Sequence, residues 1–228
     1  MLTFVVATAN AHKTAEFQSL LGEDVRLLSL ADFPSAPKPE ETADSFGGNA
    51  LIKAVHLAAW LIRAGVVLPE GSGVVADDSG LEVRTLAWAP GVHSARFAAL
   101  DDGRPGNSTD AENNAKLLRL LSTVPDGQRQ ARFRCLIAAT PVLELTSANE
   151  NHLEANLAAN TQYFEGVCPG RITLQPSGWG GFGYDPLFVP DGFDQSFGDL
   201  GMEVKNQISH RAQAVREFRR FLERSARR

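Results

Sequence analysis

Val74-Val75-Ala76, after the Gly71-Ser72-Gly73 break, reads as a short buried strand that delivers Asp77-Asp78-Ser79-Gly80, with two consecutive carboxylates, at its end. In an open α/β sheet the carboxyl edge of the strands is where ligands sit, so Asp77 and Asp78 are the first functional candidates. Adjacent carboxylates repel unless a cation lies between them or one is protonated. Taken alone, an Asp-Asp pair is more often a solvated turn, so the weight falls on the rest of the chain.

Upstream, Leu2 to Thr8 is β-rich and gives way at Ala9-Asn10-Ala11-His12 to helical spacing of Phe17, Leu20 and Leu21. Val25 to Leu30 reads as a second strand, and Pro34, Pro37 and Pro39 then force an irregular stretch. From Ser45, residues Ala50, Leu51, Ala54, Leu57, Ala58, Leu61 and Ile62 mark the buried face of a helix. Asn49 and Lys53, four apart, share another face.

Downstream, Thr109-Asp110-Ala111-Glu112 is a capping box, and Leu117, Leu118 and Leu121 continue its helix. Ala131 to Thr140 is a strand with one wet face at its start, and residues 146–161 read as a polar surface excursion. Tyr163 to Val167 and Arg171 to Leu174 suggest a hairpin or adjacent strands. The last helix starts near Ser209, with Val215, Phe218 and Leu222 inward. Arg219, Arg220, Arg224, Arg227 and Arg228 form its solvated end, where positive charge suits the helix dipole. No internal repeat and no Gly/Ser/Pro linker separates independent domains.

With 43% hydrophobic and 21% charged residues over 228 positions, a disordered, collagen-like or low-complexity chain is excluded. A net charge of -5 provides no overall field for a nucleic-acid backbone, so no nucleic-acid partner is expected and an anionic ligand needs a local cluster. Cys135 and Cys168 are too few for a metal quartet and read as reduced core thiols. The N-terminus lacks a basic leader, and the apolar run Ala54 to Leu68 is too short to span a bilayer, so a cytoplasmic, non-membrane protein is expected. The Asn107-Ser108-Thr109 sequon then marks only a polar loop.

No P-loop and no zinc-type His or Cys spacing is present. Gly178 to Gly183 satisfies G-x-G-x-x-G, but Pro186 follows where a dinucleotide site needs a helix, which rejects that reading. Four glycines around two aromatics suit either a backbone passing close to a flat ligand or an irregular turn. Glu40-Glu41 adds a second acidic pair, and few hard oxygen ligands with water left in the shell describe Mg²⁺ bound with a phosphate substrate. Lys13 opens the first helix, where free N–H groups and an ammonium hold phosphate. Lys53, Arg96, Lys205, His210 and Arg211 are further candidates. His210 and Arg211 in a helix first turn oppose the dipole, so either an anion compensates them or His210 is neutral and Arg211 lies in solvent.

Six segments in order resemble the non-canonical purine nucleoside triphosphate pyrophosphatases, the Ham1-like family. They are Ala7 to Lys13 with Glu16-Phe17; Glu40-Glu41-Thr42 with Asn49-Ala50 and Lys53-Ala54; Ala76 to Val83; Ala89 to Phe97; Gly181 to Phe188; and Lys205 to Arg211. The resemblance implies an α/β fold of two lobes around a long central mixed β-sheet, with flanking helices and a substrate cleft between the lobes, in one domain over 1–228 and usually in a homodimer. It implies Mg²⁺-dependent hydrolysis of ITP, dITP and XTP to the monophosphate and pyrophosphate, with Mn²⁺ as the alternative ion.

Carried onto this chain, Thr8, Ala9, Asn10, Ala11, His12, Lys13 and Lys53 fall on triphosphate positions, and Glu41 and Asp78 on metal and catalytic positions with Asp77 and Ser79 beside them. Phe182, Gly183, Tyr184, Asp185, Lys205, His210 and Arg211 fall on base and sugar positions, and Arg96 joins the substrate set. Phe182 or Tyr184 offers a stacking surface for the base. Departures from the family pattern are Ala9 and His12 where glycines are usual, Gly47-Gly48 where acidic residues are common, and Ala212-Gln213 after His210-Arg211. The rival readings are a Maf-like pyrophosphatase of other base preference, a nucleotide sensor without turnover, and, weakest, a nucleic-acid-binding module.

Overall fold

The computed structural model describes residues 1–8, 10–142 and 150–225. Ala9, the start of the 146–161 stretch, and Arg227 and Arg228 lie outside the described residues. The chain runs β1 (Leu2–Val6), α1 (Ala11–Leu21), β2 (Val25–Ser29), α2 (Phe46–Arg63), β3 (Gly73–Val83), α3 (Asp110–Leu120), β4 (Gln130–Pro141), α4 (Leu153–Ala159), β5 (Gln162–Ile172), β6 (Phe188–Pro190), α5 (Phe197–Ile208) and α6 (His210–Ser225). The strands form one mixed sheet in the order β2-β1-β3-β4-β5-β6, with β1 parallel to β2 and β3, and β6 antiparallel to β5. This is an α/β fold. The chain divides into two compact units, Met1–Asp78 with Leu136–Glu165 and Ala214–Arg228, and Ser79–Cys135 with Gly166–Gln213.

In the first unit the order β2-β1-β3 makes the crossover through α1 and the crossover through α2 run in opposite directions along the sheet. Under the right-handed rule for such crossovers, this order puts the two helices on opposite faces. Successive strand residues alternate sides, so Val74, Ala76 and Asp78 share one face while Val75 and Asp77 share the other. On the α2 side, Val5, Val74 and Ala76 pack with Ala50, Ala54, Ala58 and Leu61 and with Leu153 and Leu157 of α4, all fully buried. On the opposite side Phe4, in register with Gly73, meets Phe218 of α6 edge-on at 5.1 Å. Burial of each such side chain stabilises by about 1.5–3 kcal/mol.

The second unit gathers Leu81, Val83, Leu117, Leu121, Phe133, Ile172, Leu187, Phe188 and Phe197. Cys135 and Cys168 are buried thiols not joined in a disulfide, and burial with the nearby Asp191 charge pushes the Cys168 thiol up to about 12, so Cys168 is an inert core group.

Four sequence expectations change. β3 does not stop at Ala76 but runs through both carboxylates to Val83, so they sit inside a strand rather than at its end. Tyr163 to Leu174 is not two strands: a single strand, β5, runs through Pro169 and Gly170 to Ile172. Gly170 is there for close approach, because a Cβ would lie 2.3 Å from the Val189 carbonyl oxygen of β6. Residues 150–159 are helical, and Leu153 and Leu157, one turn apart, enter the first core. α5 was not expected, since Gly198 and Gly201 weaken its pattern and the helix is broken at Gly201 (φ 73°). No described helix is long and apolar enough to cross a membrane.

The capping box of α3 is present as read. Thr109 Oγ1 accepts from Glu112 N, and the Glu112 carboxylate accepts from Thr109 N at 2.8 Å. These bonds to Thr109, with Arg104 beside them, pull the Glu112 carboxyl from 4.5 to about 2. A carboxyl depressed on folding stabilises the native state fully above its unfolded value and loses that contribution as pH falls. Urea midpoints followed downward from pH 4.5 to 2 are therefore expected to fall more steeply in the wild type than in Glu112→Gln, which keeps a cap acceptor but does not titrate. Equal slopes would remove this capping charge from the acid stability of the protein.

Candidate functional site

Functional side chains gather in each unit separately. In the first, Asn10 caps α1, its Oδ1 accepting from the backbone N–H of His12 at 2.9 Å and of Lys13 at 3.3 Å, while Thr8 Oγ1 accepts from Asn10 N. Two of the helix N–H groups expected to face a phosphate are thus already taken by the cap. His12 sits exposed in the first helical turn, where no left-handed backbone is required, so a non-glycine residue fits without strain.

Lys13 reaches back to β3 and grips both oxygens of Asp77, at 2.9 and 3.1 Å, with the Asp77 side chain fully buried. From the other helix, Lys53 Nζ lies 2.9 Å from Asp78 and 3.4 Å from Glu41. Glu41 and Asp78, far apart in sequence, therefore meet on one ammonium, while Glu40 is exposed. The pairing of Asp77 with Asp78 around one cation does not occur. Strand alternation sends them to different sides, and each receives its own lysine.

Asn49, fully buried one turn before Lys53, donates from Nδ2 to Asp78 Oδ2 at 3.3 Å and accepts from Ala43 N at 3.0 Å. It joins the chain just after Glu41 to the strand carboxylate. The i, i+4 spacing showed that Asn49 and Lys53 share a face, but nothing in the sequence aimed that face at Asp78. Burial pushes the Asp78 carboxyl above the usual carboxylate range, and Lys53 and Lys13 oppose this only in part. Burial also works against the Lys53 charge, yet Asp78, Asp77 and Glu41 outweigh it and hold the amine above its ordinary value. The two directions agree physically, because one ammonium faces three carboxylates.

In the second unit, Asp185 is the hub. It is 2% exposed, accepts from Phe182 N at 2.9 Å and forms a buried ion pair with Lys205 at 2.7 Å. Gly181 (φ 76°) must be glycine, since a Cβ there would fall 2.1 Å from the Asp185 carboxylate. Lys205 Nζ also stands 4.5 Å from the centre of the Phe182 ring, with the Arg211 guanidinium at 5.9 Å. Arg211 is 1% exposed and donates to Ser79 Oγ at 2.8 Å, which overturns the alternative that places it in solvent.

His210 is buried and stacked on Phe133, centroids 4.8 Å apart, and the cap of α6 is Ser209, which accepts from Ala212 N. Tyr184 is not a stacking surface: it is 4% exposed and donates its hydroxyl to the Ser94 carbonyl at 2.9 Å. Burial and the Asp110 charge raise its phenol, which keeps that donor protonated. Phe182, half-buried under two cations, is the ring left for a flat ligand. Arg96, in the turn Gly91–Arg96, adds its charge to burial in lowering His93 and makes no described bond to the Phe182 cluster. Ser94, Asp110 and Asn114, which brace this loop, were not singled out from sequence, because nothing in a residue's own neighbourhood reports a partner some 70 to 90 positions away.

Among the described residues no three His, Cys, Asp or Glu side chains form a ready-made metal cage. Mg²⁺ does not require one, since it is commonly held by one or two carboxylates together with substrate phosphates. Glu41 and Asp78 offer hard oxygens beside one positive charge, and each oxygen keeps lone-pair capacity beyond its present contact. The donor set fits that ion.

The model of the Ham1 family matches residues 4–221. The dITP/XTP pyrophosphatase of Shouchella clausii is 40% identical over 223 residues, covering 98% of both chains. That of Geobacillus kaustophilus is 42% identical over 216 residues, covering 94% of this chain and 91% of the relative. Among solved structures, a HAM1 protein from Coxiella burnetii superposes with a TM-score of 0.77 at 36% identity, covering 98% of this chain and all of that one. The Ham1 protein of Staphylococcus aureus gives 0.76 at 32% identity, covering 98% and 99%. Alike in sequence and in fold over nearly its whole length, this chain belongs to the Ham1 family.

Proposed function

We propose that this chain hydrolyses the α–β phosphoanhydride of deaminated purine nucleoside triphosphates, ITP, dITP and XTP, to the monophosphate and pyrophosphate. The carrying observation is the convergence of Glu41 and Asp78 on Lys53, with Lys13 holding Asp77 on the same strand. The names of the relatives, dITP/XTP pyrophosphatases over the full length, support the same reading.

Asp78 is the general base. Its carboxylate takes a proton from water as that oxygen attacks the α-phosphorus. The bond to the bridging oxygen breaks, and the pyrophosphate leaves with the electron pair. Lys13 and Lys53 oppose the charge that develops there. Glu41 and Asp78 would hold Mg²⁺, which when bound neutralises phosphate charge. Asn49, bonded to Asp78 Oδ2, keeps the carboxylate from rotating away.

Base choice follows from donor polarity. Lys205 and Arg211 beside Phe182 carry donors only, which suit the oxo groups of hypoxanthine and xanthine. Adenine presents an amino group there, and such mismatches reject by up to about 10⁴. Ser79 follows Asp78 directly in β3, so the catalytic carboxylate and a residue of the base set share a peptide bond. A homodimer in the cytoplasm completes the proposal.

Pyrophosphate release from ITP, XTP, GTP and ATP, with and without Mg²⁺ or Mn²⁺, tests it. ITP or XTP should lead ATP by at least about a hundredfold in kcat/KM, with turnover near zero without metal. Asp78→Asn should fold and lose turnover. Equal rates on ATP overturn the base assignment, an active Asp78→Asn removes this carboxylate from the mechanism, and saturable ITP binding without any pyrophosphate favours the sensor.

The Lys13–Asp77 pair yields a stability prediction. Lys13→Met removes the ammonium from the buried Asp77 carboxylate and is expected to cost about 3 kcal/mol in urea unfolding. Adding Asp77→Asn should restore part of that stability but not the turnover. Recovery of both would reduce Lys13 to a structural neutraliser.

A further inference from the structure

The loop Phe182 to Asp185 carries the ring assigned to the base, and α3 holds it in a way that no packing need explains. Gly183 N donates to Asp110 Oδ2 at 2.6 Å, and Asn114 Nδ2 donates to the Gly183 carbonyl at 3.0 Å. Asp110 and Asn114 are four apart, on one helical face, and the capping box at Thr109 fixes the turn from which both project. Gly183 is left-handed (φ 63°), and a Cβ on it would meet nothing within 4 Å. Nothing else crowds this residue into place, and glycine has the most conformational freedom to lose.

Peptide planarity turns these contacts into an orientation. The N–H of Gly183 belongs to the Phe182–Gly183 peptide plane, which Asp110 holds. The N–H of Phe182 belongs to the Gly181–Phe182 plane, which Asp185 holds at 2.9 Å. With both flanking planes pinned by carboxylates, φ and ψ of Phe182 are set, and with them the direction of its Cα–Cβ bond. Asn114 pins the next plane, and Tyr184 is tied to Ser94 beyond it. Asn114 Oδ1 is buried with no hydrogen-bond partner among the described residues. An orphaned acceptor is a cost, so stability alone does not account for an asparagine here.

We infer that Asp110 and Asn114 are positioning residues for base selection, clamping the Gly183 peptide so that the Phe182 ring and the cations over it present one fixed geometry to the purine. This builds on the base recognition proposed above, and the test separates the two. Tm and the kcat and KM for ITP and ATP are measured for the wild type, Asp110→Ala, Asp110→Asn, Asn114→Leu and Phe182→Ala. Asp110→Ala and Asn114→Leu should raise KM for ITP about tenfold with kcat within about twofold, and compress the ITP/ATP ratio of kcat/KM about tenfold. Asn114→Leu should do so with Tm unchanged or raised, since it removes the orphaned oxygen, which a merely structural role would not produce. Asp110→Asn keeps an acceptor and should retain most of the preference. In the Phe182→Ala background the Asp110→Ala effect should largely vanish, because both act through the same ring.

An unchanged ITP KM and ITP/ATP ratio in folded Asp110→Ala and Asn114→Leu overturns the clamp while leaving the base reading intact. Equal losses on ITP and ATP with a lowered Tm also overturn it, marking a structural brace. A wild type that does not prefer ITP over ATP overturns base recognition itself.

Discussion

Negative charge inside a central strand is the constraint on which the first unit depends. β3 carries Asp77 and Asp78 between fully buried Val74, Val75 and Ala76 and fully buried Leu81, and a strand cannot bury one carboxylate on each face without a cation on each face. The fold answers with two helices from opposite crossovers, α1 bringing Lys13 to Asp77 and α2 bringing Lys53 to Asp78. Helix placement, lysine position and strand continuity are therefore one solution. The small face Ala50, Ala54 and Ala58 belongs to it, because a helix whose lysine must reach the strand needs short side chains against the sheet.

The second unit solves a related problem with a loop in place of a strand. Asp185 enters the interior to hold Phe182 and is paired there with Lys205, whose ammonium also faces the Phe182 ring. Gly181 leaves the carboxylate its space. Breaking a buried pair by removing one partner costs far more than the pair contributes on its own, so these residues tolerate change poorly whatever they recognise. Asp110 and Asn114 sit outside that pair and are partly accessible, which makes them the better handles on recognition.

Local chemistry was legible in the sequence wherever a residue's own neighbours report it. The capping box at Thr109, the apolar face of α2 and the strand-helix-strand opening are of this kind, and the family resemblance of the six segments matches the family to which the chain belongs. Misreadings came where tertiary partners override local signals. Asp-Asp looked like a strand end because the two lysines that make it tolerable come from elsewhere, and Tyr163 to Val167 and Arg171 to Leu174 looked like two strands because the close approach of β6 to Gly170 is not written beside them. Tyr184 and Phe182 were interchangeable as aromatics until Ser94 claimed the hydroxyl of one. Arg211 was left open between anion site and solvent, and its burial is set by Ser79, 132 positions away.

Charge balance bears on the ion. The cluster of the first unit holds two ammonium groups, Lys13 and Lys53, against three carboxylates, Asp77, Asp78 and Glu41. Over these described contacts carboxylates outnumber ammonium groups, and a polyanion added to them gains from the lysines only what it does not lose to the carboxylates. Moving the lysines from the carboxylates to the phosphates would take the ammonium partners from the buried Asp77 and Asp78, a larger loss than the new contacts return. The divalent cation proposed above, which Glu41 and Asp78 would hold, would remove the conflict, because it would let the carboxylates remain charged as the substrate binds. The same carboxylates that would repel a bare triphosphate would then become the reason it binds, so the proposed metal requirement rests on the acidic residues and not on the lysines.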